Sequence, residues 1–198
     1  MTVEDPIEYE MMGGNQVAAR PDIGLDFASA LRSILRQDPD IVMVGEIRDN
    51  ETADIAVKAA LTGHQVSTLH TNDAAGAIAR LDDMGIEPFL ISSSVIMCCA
   101  QRLIRRVCLN CREEFVPEPE MFARLNLEPT EGQVFYQGVG CDRCKGRGYS
   151  GRAAIIEALT VSESIRRLII KRASAAVIKN QAISEGMKTL RMVGIDKA

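Results

Sequence analysis

Two cysteine pairs carry the most specific chemistry in this sequence. Cys108-x-x-Cys111 and Cys141-x-x-Cys144 are separated by 29 residues. Each pair can bend around one metal ion through a tight turn, and the four thiolates then form a tetrahedron that Zn²⁺ accepts readily. Gly140, Gly146 and Gly148 help the second turn to form. Four protein ligands leave no open position, so such a zinc is structural rather than catalytic. The alternatives are four unrelated thiols or two redox pairs, and the matched spacing argues against both. Cys98 and Cys99 lack ligand spacing and read as core thiols.

Carboxylates form the second group. Ile41-Val42-Met43-Val44 is an unbroken apolar run followed by Gly45-Glu46-Ile47-Arg48-Asp49. Open α/β sheets place their chemistry at the carboxyl ends of central strands, and Glu46 there can hold Mg²⁺ through a water. Thr2-Val3-Glu4-Asp5-Pro6-Ile7-Glu8-Tyr9 sets Glu4, Asp5 and Glu8 within five residues, with Pro6 making the exit extended and rigid. Carboxylates beside a metal–phosphate site can orient and deprotonate an attacking water. His70 lies in Ser67-Thr68-Leu69-His70-Thr71-Asn72-Asp73 and can donate to a phosphate oxygen. Taken singly, each has a plainer reading: a helix-start acid, a solvated acidic loop, a structural histidine. Their order points further, because all three would converge on one edge of one sheet. His64 reads as a helix C-terminal group near exposed carbonyls.

The elements that must position these residues alternate. Asp26 caps a helix carrying Phe27, Leu31, Ile34 and Leu35 on one face, and Pro39 stops it. The strand 41–44 follows, buried on both faces. Asp49 or Asn50 caps a helix that runs to Gly63, a strand covers 65–69, and Asn72 or Asp73 caps a third helix ending near Gly85. That alternation predicts an α/β domain with a parallel sheet. Residues 89–107 read as a further helix. Residues 108–151 lack a long periodic stretch, 154–159 read as a strand, and 162–171 and 175–186 as amphipathic helices.

Composition narrows the function. The 198 residues are 46% hydrophobic, 4% aromatic and without Trp, so the core is aliphatic. A net charge of −4 argues against a dedicated nucleic-acid binder. Arg102, Arg105, Arg106, Arg112, Arg143, Lys145, Arg147 and Arg152 nevertheless cluster around the cysteines, as a phosphate-binding face or a solvated or subunit-contact face. Six Cys without a signal peptide point to a reducing, cytosolic setting. The apolar stretch 89–100, broken by Ser92, Ser93 and Ser94, is too short and polar to cross a bilayer. Both termini read as cut from something longer.

Together these stretches resemble the secretion ATPase superfamily, specifically the type II secretion ATPases and the type IV pilus extension ATPases. Thr2 to Tyr9 resembles the family's Asp box. Leu31-Arg32-Ser33-Ile34-Leu35-Arg36-Gln37-Asp38-Pro39-Asp40, leading into Val44 to Asp49, resembles its Walker B region. Gly63-His64 through Asp73 resembles its His box. Ala100-Gln101-Arg102-Leu103 and Gly148-Tyr149-x-Gly151-Arg152 resemble the borders of its zinc module.

The resemblance implies a partial RecA-like P-loop NTPase core over 1–107 with a parallel sheet, a tetracysteine zinc module over 108–151, and a C-terminal helical region over 152–198. It implies a homo-hexamer on the cytoplasmic face of the inner membrane, using ATP and Mg²⁺. Contact with the membrane would be peripheral, through platform, secretion or pilus proteins, with no specific nucleic acid. By motif match Glu4 orients water with Asp5 and Glu8 in support, Glu46 acts on Mg²⁺ through water, and His70 touches the γ-phosphate. Arg20, Arg32, Arg36 and Arg48 contribute positive charge. The four cysteines match the structural Zn²⁺ site of the secretion and extension branches, which retraction ATPases generally lack. One departure is large: no G-x-x-x-x-G-K-[ST] occurs. The phosphate loop would lie upstream of Thr2, and the polypeptide alone is expected to hydrolyse no ATP. The competing readings are a stand-alone zinc-containing binding module for an anionic or protein partner, and a truncated subunit that poisons complete rings.

Overall fold

The computed structural model of the chain describes residues 1–124 and 134–197. Strands Thr2–Glu4 (β1), Gln16–Ala18 (β2), Ile41–Val44 (β3) and His64–Ser67 (β4) form one sheet in the order β2-β1-β3-β4, with every neighbouring pair parallel. Val3 sits opposite Val44, and Val44 opposite Ser67. That register puts the carboxyl ends of β1, β3 and β4 level with one another. The β2 strand is too short, at Gln-Val-Ala, to be read from alternation. His64 is the first residue of β4, paired with Ile41, rather than the end of a helix. Its side chain lies outside the described atoms.

Helices alternate with these strands, and aspartates start them. Asp26 accepts from Ser29 N at the start of Phe27–Leu35 (α1), Asp49 from Thr52 N at Asn50–Ala60 (α2), and Asp73 from Gly76 N at Ala74–Asp83 (α3). Each carboxylate satisfies a first-turn amide that has no partner within its helix. A fourth helix, Pro88–Ser94 (α4), begins at a proline whose missing N–H is not needed there. The core is aliphatic, as the composition requires: Val3, Leu31, Val44, Ala53, Ala75 and Ile91 are inaccessible to solvent. Each large aliphatic side chain so buried stabilises the fold by roughly 1.5–3 kcal/mol.

The helix expected over 89–107 is corrected. It ends at Ser94, and Met97–Val107 (β5) is a strand paired with Tyr149–Thr160 (β8). Ser92, Ser93 and Ser94 bond back to the carbonyls of Phe89 and Leu90, an arrangement that weakens a helix end. The β-branched Val95 then takes an extended backbone. Cys98 and Cys99 therefore lie in a strand, where successive side chains face opposite ways. Cys98 is half-buried, and burial pushes its thiol up to about 12. Cys99 is exposed, so it is not a core thiol.

The chain folds into two compact units, Met1–Ala100 with Glu157–Met187, and Gln101–Ile156 with Lys188–Ala198. In the first unit Glu163–Ile170 (α6) packs on α4, and Ala175–Ser184 (α7) packs on α3 and α6. In the second, Arg112–Phe115 (β6) pairs antiparallel with Phe135–Gly138 (β7), beside the short helices Pro119–Arg124 (α5) and Leu190–Ile195 (α8). Residues 125–133 of the expected zinc module lie outside the described residues. Among the described residues, no helix is long and apolar enough to cross a membrane.

Candidate functional site

The level strand ends create a polar edge. Glu46, one residue beyond the Gly45 that follows β3, receives Arg48 Nη2 on Oε1 and lies 3.2 Å from His70 Nε2 through Oε2. The Arg48 hydrogen bond, more than the nearby His70, holds the Glu46 carboxyl below its usual range. The Glu46 side chain is only 12% exposed, whereas the His70 ring is 91% exposed. The pKa of the Arg48 guanidinium is raised, chiefly by Glu46, with a further contribution from Asp5. The segment after β4 is pinned to the same edge: Ile47 N donates to Thr68 O at 2.9 Å, and Thr68 Oγ1 donates to Gly45 O.

Glu4 ends the adjacent strand, β1. Its Oε1 accepts from Thr2 Oγ1 at 2.6 Å and from Gln16 Nε2 at 2.9 Å. These two bonds, the first the larger, lower its pKa. Its carboxylate is thus turned toward β2, while its backbone packs on Gly45. A Cβ on Gly45 would meet Glu4 Cα at 3.2 Å and Cγ at 3.6 Å. Glu46 thus contacts both Arg48 and His70, while Glu4 ends the neighbouring strand with its backbone against Gly45 and its carboxylate bonded to Thr2 and Gln16.

The other expected residues are spread more widely. Asp5 is exposed and close enough to Arg48 to act on it electrostatically. Glu8 is exposed in the loop after β1, following a cis Asp5-Pro6 bond. Arg32 pairs with Glu51 in the first turn of α2. Arg20 is exposed, and its backbone bridges to Leu25. Arg36 follows the last residue of α1, on the approach to the amino end of β3 and so at the edge opposite Glu46.

In the second unit the four predicted thiols meet. The ligand atoms of Cys108, Cys111, Cys141 and Cys144 lie within 4.8 Å of one another. The Cys108–Cys141 and Cys111–Cys144 separations are 3.9 Å, and Cys141–Cys144 is 3.8 Å. A tetrahedron with Zn–S bonds of about 2.3 Å has edges of roughly 3.8 Å, so the set fits zinc. Donors converge on the sulfurs: Cys141 N and Gly148 N on Cys144 Sγ at 3.2 Å, and Asn110 Nδ2 on Cys141 Sγ at 3.4 Å. The Cys144 backbone amide, then Asn110, pull the Cys141 thiol down to about 6, while burial pushes Cys111 up to about 12. Thiols this close cannot all ionise without a cation among them, and a divalent metal removes that conflict. Of the surrounding basic residues, Arg105 stacks over Tyr149 at 4.1 Å and Arg112 over Tyr136 at 5.1 Å.

Sequence reasoning missed Glu157 and Lys179. Glu157 is 1% exposed and accepts from Ala74 N at 3.0 Å, while Lys179 pairs with Asp73 at 2.7 Å. The available signal was an acid at an inward position of a strand otherwise lined there by Ile155 and Leu159.

The chain is similar to the type IV pilus assembly ATPase PilB of Thermus thermophilus, at 58% identity over 200 residues that cover all of this chain and 22% of that protein. It is 48% identical over 198 residues to the type II secretion system ATPase E of Vibrio cholerae, covering all of this chain and 39% of that protein. The chain thus spans well under half the length of these relatives. Among solved structures, the pilus retraction motor PilT with bound ADP superimposes with a TM-score of 0.56 at 27% identity, over 97% of this chain and 50% of that one. The Legionella pneumophila ATPase DotB shares the fold, with a TM-score of 0.60 at 23% identity over 96% and 44% of the two chains. A family model described as Type II/IV secretion system protein matches residues 1–198, and the chain belongs to that family.

Proposed function

We propose that the chain is the catalytic-carboxylate and zinc-bearing portion of a motor ATPase that couples ATP hydrolysis to type IV pilus assembly or type II protein secretion. The observation that carries this reading is the level edge of β1, β3 and β4, where Glu46 meets Arg48 and His70 beside Glu4. In this reading Glu46, ionised and partly enclosed, holds Mg²⁺ through water. That ion would supply charge neutralisation on the phosphates. Glu4 orients the attacking water as a hydrogen-bond acceptor, with Asp5 and Glu8 shaping the field around it. His70, exposed and anchored on one side only, is free to turn its other face to a γ-phosphate. Arg48 adds positive charge at the same edge, with Arg20 and Arg32 as further contributors of positive charge. The similarity to PilB and to the type II secretion ATPase supports this assignment.

The whole protein works, on this proposal, as a homo-hexamer at the cytoplasmic face of the inner membrane, in contact with platform, secretion or pilus proteins. The four thiols hold Zn²⁺ as a structural ion. The 198 residues contain no phosphate-cradling Gly-Lys-Thr or Gly-Lys-Ser loop, so this polypeptide by itself turns over no ATP. The test is steady-state ATPase activity in a protein that joins this chain to such a loop. Glu4→Gln should lower kcat by at least about 100-fold with KM for ATP little changed. Normal turnover in that variant would remove Glu4 from the reaction, and activity of the 198 residues alone, abolished by Glu4→Gln, would refute the predicted inactivity.

A further inference from the structure

We infer that Glu157 on β8 and Lys179 on α7 are positioning residues that hold the His70 loop against Glu46 by fixing where α3 begins. With 91% of its ring exposed, His70 is not held by packing. Its place depends on the two ends of the loop 68–73. The upstream end is pinned by the bonds from Ile47 N and Thr68 Oγ1 already described. The downstream end is the first turn of α3.

That turn is held twice. Asp73 takes the Gly76 amide at 2.8 Å, and Thr71 Oγ1 donates to Asp73 O at 3.1 Å. Gly76 fits tightly, since a Cβ there would lie 3.0 Å from Asp73 Oδ1. A local cap of this kind is sufficient to start a helix. The second hold comes from a residue 83 positions away: Glu157 Oε1 accepts from Ala74 N at 3.0 Å. Glu157, Ala74 and Ala75 are each at most 1% exposed. A buried carboxyl is costly unless it is bonded, and Ile155 and Leu159 show that an aliphatic residue suits this face of β8. The carboxyl therefore adds location rather than helix formation. It ties the start of α3 to β8, so the loop cannot swing with its cap. Lys179 holds Asp73 Oδ2 at 2.7 Å and also feels the charge of Glu157, joining the two holds.

The consequence for turnover rests on the reading of His70 given above, but the placement can be measured in this chain without nucleotide, so either can fail alone. Two readouts serve: exchange of the Ala74, Ala75 and Gly76 amides, and the ¹H–¹³C imidazole signals of His70. Glu46→Ala defines the signal of a His70 that has lost its partner. Glu157→Leu should make the three amides exchange about tenfold faster, equivalent to about 1.4 kcal/mol, and move His70 at least halfway to that reference. Glu157→Gln keeps an acceptor oxygen and should restore both. Ile165→Val, a core change in the same unit, should lower global stability and leave His70 unmoved. The inference is overturned if His70 is unchanged in Glu157→Leu, if Gln fails to restore it, or if Ile165→Val moves it equally. Should Glu157→Leu fail to fold, Lys179→Met must give the same shift at smaller size, and an unmoved His70 there overturns the inference as well.

Discussion

A methyl group on Gly45 would lie 3.0 Å from the Val3 carbonyl oxygen and 3.2 Å from Glu4 Cα. Both neighbours are backbone, so neither can rotate away. Gly45→Ala should push β1 off β3, at a cost of about 1–3 kcal/mol read by urea unfolding, and should disturb Glu4 and Glu46 together. One residue on, Glu46 owes its low pKa first to Arg48. A carboxyl whose folded pKa is depressed stabilises fully above its unfolded pKa, and loses that contribution as pH falls through the lowered value. Arg48→Met should therefore be less stable than the parent above about pH 5, with the difference vanishing in stronger acid. A carboxyl-carbon NMR titration should show the Glu46 pKa rising. An unchanged Glu46 titration would mean that the ion pair does not set it.

At the scale of elements, the glycines of the second unit decide whether its turns can close. Gly148 has φ of +73°, and a Cβ on it would lie 2.2 Å from Gly138 O. The Gly148 amide donates to Cys144 Sγ, and its carbonyl accepts from Cys108 N at 2.9 Å. Gly148→Ala should therefore separate β7 from the start of β8, destabilise by at least about 2 kcal/mol, and weaken metal retention in a competition titration. The glycines and thiols were readable in advance because turn chemistry is local. So was the cap at Asp26; the next two helix starts were legible only as a choice between neighbours, which fell to Asp49 over Asn50 and to Asp73 over Asn72. The strand Ile41–Val44 was legible too, but it is not buried on both faces: Val42 and Val44 are buried, while Ile41 is 58% exposed. What was not legible depends on partners far along the chain. Val95 to Val107 satisfies a helical or an extended pattern equally, and only pairing with β8 decides between them. Glu157 likewise reads as an ordinary strand acid until α3 is seen to begin against it. The direction of Glu4, bonded to Thr2 and Gln16, needed β2, a strand too short to announce itself.

At the scale of the whole molecule, the two units are stabilised by different means, and metal removal should separate them. The first carries nineteen acidic residues against eleven basic ones, yet buries a large aliphatic core from Val3 to Ile178. The second carries twelve basic residues against eight acidic ones. Among its described residues, the buried apolar side chains are Cys108, Cys144 and Ile155. Two of those three are the thiols themselves, so burial alone supplies little there. Structural zinc contributes about 10–16 kcal/mol of apparent binding free energy at neutral pH, and that energy is folding energy when the site exists only in the folded state. A strong chelator should release about one zinc per chain. Amide protection around Cys108 and Cys144 should then collapse, while protection at Ala53 and Ile78 persists. Cys111→Ser should reproduce the effect without chelator. Acid should do the same, because protons compete for the thiolates. If the second unit keeps its protection with the metal gone, its stability lies elsewhere and the tetrathiol centre is not its core.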